Sequence, residues 1–310
     1  MKDFLHIIAI PMTGLGLYGG YRGDKWYKNR IDIFNRYTLR SLLNQSNRDF
    51  VLWIAVRPEE KDNPLTKSWI EYLEKIKGLK FIFTHGGCYL WDDKYKNDNL
   101  LDRLEIMLPQ LRANLSLGDV KHIYLTSHSS DDMLHRLDVE ETQSQPYKHR
   151  RILVHGRGYV FNSKTNKLAD WNPTTINPPF YTIMFPVADF FDAKRHFNYM
   201  RDSVSHEDVI RLFDPIKMPD HRYCVLIHGN QISTTWYHPY RDGSYTHDEA
   251  VRIMRDFGIE IEPELKVKHS LAELKMLVRY WVFKLLIRGR LYQLLKTIKN
   301  KYEIAKRSNR

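Results

Sequence analysis

His122-Ile-Tyr-Leu-Thr126-Ser-His128-Ser-Ser130-Asp131-Asp132 runs from a short apolar stretch straight into small polar residues and two adjacent acids. An apolar run of this length bounded by polar residues reads as a buried strand. An acidic loop at its end marks the place to look for chemistry, because open α/β sheets bind ligands at the carboxyl ends of their strands. Toward the N-terminus the same alternation recurs. Ile7 to Met12 reads as a first strand, followed by the glycine-rich connection Gly14-Leu-Gly-Leu-Tyr-Gly19-Gly20 and a helix over Ile31 to Asn44. Phe50 to Val56 is a second strand, Leu65 to Ile76 a helix, Leu79 to Thr84 a third strand, and Leu100 to Leu115 a helix that Pro109 can kink. Strands alternating with amphipathic stretches are the pattern of βα units around a mainly parallel sheet.

From Arg151 the texture turns β-rich, with segments at Ile152 to Phe161 and Tyr181 to Phe185 and a polar turn at Asn162 to Asn166. A helical stretch over Ala188 to Phe213 leads to a last apolar strand at Tyr223 to His228. Glu262-Pro263-Glu264 closes this body, so the chain divides into residues 1–265 and a tail, residues 266–310.

The 43% hydrophobic and 27% charged fractions are ordinary for a globular protein and argue against disorder or a polytopic membrane protein. Cys88 and Cys224 make no disulfide framework, so a reducing, cytoplasmic setting is expected. The run from Phe4 to Met12, interrupted by Pro11, reads as a strand rather than a signal peptide. The formal charge of +11 invites a nucleic-acid reading until its location is asked. Thirteen Lys or Arg and two acids lie between Lys266 and Arg310, so the whole excess sits in the tail and the body is formally neutral. An electrostatic partner is therefore expected at the tail.

Leu271 to Tyr302 reads as one or two amphipathic helices broken near Gly289, with Trp281, Leu285 and Leu295 among Arg279, Lys284 and Arg288. Such a segment can lie in a membrane interface, and an anionic membrane surface is the partner expected for residues 270–310. It is too interrupted by charge to span a bilayer, which needs roughly 20 apolar residues. Packing on the body or on another subunit accounts for the same pattern. No RNA-binding module is recognisable, so nucleic acid is not expected.

Asp131 and Asp132 suit a hard divalent cation, whose preferred ligands are carboxylate oxygens. His228, at another strand end in His228-Gly-Asn230-Gln231-Ile-Ser233-Thr, could join them across the pocket. An acid pair in a loop also serves as a turn or a helix cap, and a lone histidine is often structural. The run Gly14 to Gly23 matches neither the dinucleotide nor the P-loop fingerprint, and a flexible loop over a ligand site at the strand ends is the better use of it. Trp26, Tyr27, Trp236, Tyr237 and Tyr240 could stack on a sugar or base, or pack in the core.

Three ordered patches resemble a rhamnosyltransferase family and, more distantly, other GT-A glycosyltransferases. The first is Ile33-Phe-Asn-Arg-Tyr37-Thr-Leu-Arg-Ser41-Leu-Leu-Asn-Gln45, leading to the aromatic-rich strand Phe50-Val-Leu-Trp53-Ile. The second is Tyr124-Leu-Thr-Ser-His-Ser129-Ser-Asp131-Asp132, in the place of that family's Asp-x-Asp-Asp motif, with Asn177-Pro-Pro-Phe180 beyond it. The third is Val225-Leu-Ile-His228-Gly229-Asn230.

The resemblance implies a GT-A-like (Rossmann-like) α/β fold with a mixed, mainly parallel sheet flanked by helices. It also implies transfer of a hexose such as rhamnose from a nucleotide-sugar donor to a glycan, lipid-linked or other hydroxyl acceptor, assisted by Mn²⁺ or Mg²⁺. By position, Asp131 would be the principal metal ligand on a surface-facing loop. Asp132 would be a neighbouring ligand or sugar contact, and His228 a metal or diphosphate contact. Asn230 falls among the donor contacts. Ser129 stands where the family has its first acid, so a hydroxyl replaces a carboxylate there. That departure leaves open a non-catalytic sugar-nucleotide or glycan-binding protein, and a third reading places the function in the tail as an interaction protein. An inverting enzyme also needs a base near the acceptor hydroxyl. Glu207 and Asp208 are the candidates, although Ser205-His206-Glu207-Asp208 equally resembles a helix N-terminus. Asp98 and Arg103 could face the donor or simply begin a solvated helix.

Overall fold

A computed structural model describes residues 3–13, 23–87, 100–171, 180–200, 212–228 and 245–261. Its core is a seven-stranded sheet in the order β10-β6-β9-β4-β1-β2-β3. The first four strands are β1 (Phe4–Pro11), β2 (Val51–Val56), β3 (Lys80–His85) and β4 (His122–Ser127). They are mutually parallel, with β1 between β2 and β4. β9 (Tyr181–Pro186) runs antiparallel between β4 and β6 (Arg151–Val154), and β10 (Asp214–Lys217) adds parallel to β6. The mixed, mainly parallel sheet flanked by helices is thus the one expected.

Strand alternation separates two cores. Ile7 and Ala9 face one side of the sheet with Trp53, Ile123 and Leu125, under α4 (Leu100–Ala113) and α7 (Ala193–Met200). Ile8 and Ile10 face the other with Leu52, Ile54 and Val56, under α1 (Asp24–Ile33) and α3 (Pro64–Glu74). Within the first of these, Trp53 is wholly buried, and its indole N–H donates to Thr84 Oγ1 at 2.7 Å, so the ring adds apolar burial without an unpaired donor.

A second sheet of four strands, β5-β11-β7-β8, packs against the α1 side. It comprises β5 (Met133–Leu134), β7 (Gly158–Asn162), β8 (Lys167–Trp171) and β11 (Tyr223–Ile227). The single segment expected over Ile152 to Phe161 is in fact two strands in different sheets, separated at His155 to Arg157. Hydropathy alone cannot place that break, because residues on both sides of it are buried. The short strands β5, β8 and β10 were equally invisible as apolar runs, being short or polar.

The helix expected from Ile31 begins earlier, at Asp24, and passes through a π-helical turn at Phe34–Thr38 into α2 (Leu39–Leu43). α5 (Asp138–Ser144), α6 (Val187–Phe191) and α8 (His247–Arg255) complete the helices used below. α8 starts at a reciprocal cap in which Thr246 Oγ1 accepts from Glu249 N–H and the Glu249 carboxylate accepts from Thr246 N–H. Residues 266–310 lie outside the described residues, and among those described no helix is long and apolar enough to cross a membrane.

Candidate functional site

The chain winds outward from β1 through β2 to β3, then returns to place β4 on the other side of β1. Such a reversal opens a crevice at the carboxyl ends of the two central strands, where ligands bind in open α/β sheets. Thr13 follows β1, Arg57 follows β2, Gly86 and Gly87 follow β3, and His128 to Asp132 follow β4.

At the β1 and β2 ends, Thr13 Oγ1 donates to the Glu60 carboxylate and also accepts from Arg57 N–H at 3.1 Å. Burial pushes the Glu60 carboxyl above its usual range against these hydrogen bonds. At the β4 end, His128 N–H continues the parallel ladder to Ala9 O at 3.0 Å, and its ring sits edge-on to Phe180 with centroids 5.7 Å apart. Burial holds that imidazole down to about 4, so it is neutral near pH 7.

Ser129 to Asp132 form the joint at which the chain leaves the large sheet and enters the small one through β5. Both acids are drawn inward there. Asp131 Oδ2 accepts from Arg30 Nη1 at 2.7 Å and lies 3.0 Å from His228 Nε2, at the end of β11. Asp132 Oδ1 accepts from Leu226 N–H at 2.9 Å, and its other oxygen pairs with Ser129 Oγ. Thr38 Oγ1 donates to Asp132 O at 2.8 Å. The acidic pair therefore ties β4 to the α1 segment and to β11.

Burial raises the Asp131 carboxyl, but the Arg30 charge and the His228 and Arg30 hydrogen bonds outweigh it and hold the group well below the usual carboxylate range. Burial and the neighbouring Asp131 charge push Asp132 up.

The sequence expectation that Asp131 and His228 meet across nearly a hundred residues matches this geometry. The expectation of a surface-facing loop does not, because Asp131 is 8% and Asp132 7% exposed. Nor do Asp131, Asp132 and His228 fit a divalent cation. Arg30 already neutralises Asp131, and both oxygens of Asp132 are engaged. His228 Nε2, when donating its proton to Asp131, has no lone pair left for a metal. Among the described residues no cluster of three or more His, Cys, Asp or Glu could hold a metal ion.

The Ser129 hydroxyl pairs with the Asp132 carboxyl. Arg103 is buried on α4 against Gly87, after β3. β3 is three strands from β4, roughly 14 Å at about 4.8 Å per strand, so Arg103 borders the crevice but is not drawn into the acidic cluster. Asp98, Glu207, Asp208 and Asn230 lie outside the described residues. Tyr27 is core rather than a stacking platform: it is wholly buried, with its hydroxyl 2.9 Å from Thr66 Oγ1.

Arg30 was the residue that sequence reasoning missed. The signal was present as a cation on the apolar face of a helix, where Tyr27, Arg30, Ile31 and Phe34 recur at helical spacing and are all buried. The expected helix began at Ile31 and so left Arg30 out.

His128 and His196 are both held near 4 by burial, below the usual value of 6.5. Between those values the unfolded chain takes up protons that the folded chain does not. Stability therefore rises with pH through this window and is lost as pH falls from 6.5 toward 4. Urea midpoints measured across pH 4–7 should fall on the acid side, and His196→Phe should make that fall shallower. A profile unchanged by the substitution would contradict the assignment.

No known family model matches the chain, and no curated protein matches it. Among solved structures, a Desulfovibrio desulfuricans G20 chain assigned as a nucleotide-diphospho-sugar transferase aligns at 13% identity and a TM-score of 0.33. That alignment covers 84% of this chain and all of that one. The inositol-1-phosphate CTP transferase of T. maritima aligns at 9% identity and a TM-score of 0.30, over 73% of this chain and 86% of its own. Likeness at that level assigns neither substrate nor residue roles.

Proposed function

We propose that the chain is a glycosyltransferase that binds a nucleotide sugar in the crevice at the carboxyl ends of β1, β2 and β4 and passes the sugar to a hydroxyl of a glycan or lipid-linked acceptor. The observation that supports this reading is the meeting of Arg30, Asp131 and His228 at the reversal point between β1 and β4, where α/β sheets take up nucleotides. In the reaction the bond from the anomeric carbon to the diphosphate oxygen breaks while the acceptor oxygen bonds to that carbon and loses its proton to a base. Glu207 or Asp208 would take this proton, and fixed donors would offset the charge growing on the departing diphosphate. The carboxylates of Asp131 and Asp132 are already engaged, which favours fixed protein donors over a divalent cation for that role. The resemblance of the sequence favours rhamnose as the sugar.

A panel of nucleotide sugars, assayed for nucleoside diphosphate release without acceptor, tests the proposal. One donor should be hydrolysed above the buffer rate. Binding without release would mark a sugar-nucleotide-binding protein, and neither binding nor release across the panel would refute the proposal.

The basic tail extends the reading to location. Its charge, interleaved with Trp281, Phe283, Leu285 and Leu286, suits reversible attachment to an anionic membrane, where a lipid-linked acceptor would lie. Each basic residue near such a surface contributes about 1 kcal/mol, screened by salt. Deleting residues 270–310 should remove salt-sensitive sedimentation with anionic vesicles while leaving donor hydrolysis unchanged. Equal sedimentation of the truncated chain would argue against a membrane role.

A further inference from the structure

We propose that Arg30 is the resident cation of this site, so that the diphosphate of the donor is bound without a divalent metal. The inference rests on the nucleotide-sugar reading above and concerns which charge holds the diphosphate. Three observations carry it. The Arg30 side chain is 95% buried beside the acidic pair, a location that long charged side chains avoid unless they are paired or recognise an anion.

The second observation is its unused donor capacity. A guanidinium carries five N–H donors. Nη1 goes to Asp131, while Nε is buried with no hydrogen-bond partner among the described residues. Buried donors are nearly always satisfied, and phosphate oxygens are acceptors matched to the planar fork of an arginine.

The third is the state of the carboxylates that would otherwise hold a cation. Asp131 Oδ2 is shared by Arg30 and His228, and Asp132 by Leu226 N–H and Ser129. A divalent ion would have to break these contacts and compete with the Arg30 guanidinium for Asp131.

The test uses the full chain and three probes, UDP, GDP and dTDP, titrated calorimetrically in EDTA and again in Mn²⁺, alongside a Mn²⁺ titration of the unliganded protein read by electron paramagnetic resonance. At least one diphosphate should bind with the same Kd, within about twofold, in EDTA and in Mn²⁺, and the protein alone should leave Mn²⁺ free. Arg30→Gln should weaken that binding by about tenfold or more in both buffers, with Arg30→Lys, which keeps the charge, weakened less. If Arg30→Gln does not fold, the Lys variant and the two wild-type titrations still decide. Binding that appears only with Mn²⁺, or Mn²⁺ uptake that Asp131→Asn abolishes, overturns the inference and leaves the nucleotide-sugar reading standing. Absence of diphosphate binding in either buffer overturns both.

Discussion

Asp131→Ala is expected to lower the unfolding free energy by roughly 3–5 kcal/mol, because the substitution leaves the Arg30 guanidinium buried without its counter-charge. Arg30 is 4% exposed and Asp131 8%, so the charge left behind stays largely desolvated in the unliganded chain. The loss is larger than that of an ordinary hydrogen bond because His228 also points to the same oxygen, at 3.0 Å. Asp131→Asn, which keeps an acceptor but not the charge, should fall between wild type and alanine. Replacing both partners with apolar residues, Arg30→Met with Asp131→Leu, should recover much of the stability, since desolvation of two charges offsets most of their attraction. Urea unfolding of the three variants measures this. A wild-type midpoint for Asp131→Ala would show that the pair does not hold α1 to the joint after β4.

The second large effect is expected at Phe180, immediately before β9. Its ring is wholly buried, stacks on Tyr223 of β11 with centroids 4.5 Å apart, and meets His128 edge-on. It therefore fills the seam between the large sheet and the small one. Phe180→Ala should cost about 3–5 kcal/mol, through lost burial and a cavity that neighbours on two sheets cannot both close. Phe180→Leu should cost clearly less, because most of the volume remains. Denaturant midpoints of the pair check the magnitude, and equal values for Leu and Ala would mean that the ring does not fill the seam.

These two residues also show how the site could be read from sequence and where the reading stopped. The βα alternation through Thr126 was legible because each central strand is a short apolar run flanked by polar turns, and burial on both faces demands that composition. The patches at Ser41 to Gln45, Asp131-Asp132 and His228 were legible as patches, and the structure supplies a physical reason for the first. Gln45 is buried, its Nε2 donates to His135 O at 2.9 Å, and its Oε1 accepts from Val139 N–H at 3.2 Å. Ser41 Oγ accepts from Leu134 N–H at 3.3 Å. That motif thus holds the segment that follows the acidic pair.

What was not legible was the second sheet. Apart from the local β7–β8 hairpin, it is closed by β11 pairing with β5 and β7, segments far away in the chain, and local periodicity carries no information about such partners. Without that sheet, Asp131 looked like the tip of an exposed loop, and the acids looked available to a metal. With it, they face inward and are already bonded.

The central claim is that the crevice between β1 and β4 receives the diphosphate of a nucleotide sugar. A crystal structure of the full chain grown with the nucleoside diphosphate that binds most tightly tests it most directly. The diphosphate should lie at the carboxyl ends of β1 and β4, within hydrogen-bond distance of Arg30, with Asp131 and His228 at the same site. A nucleotide bound elsewhere, with the Arg30–Asp131–His228 cluster untouched, would contradict it.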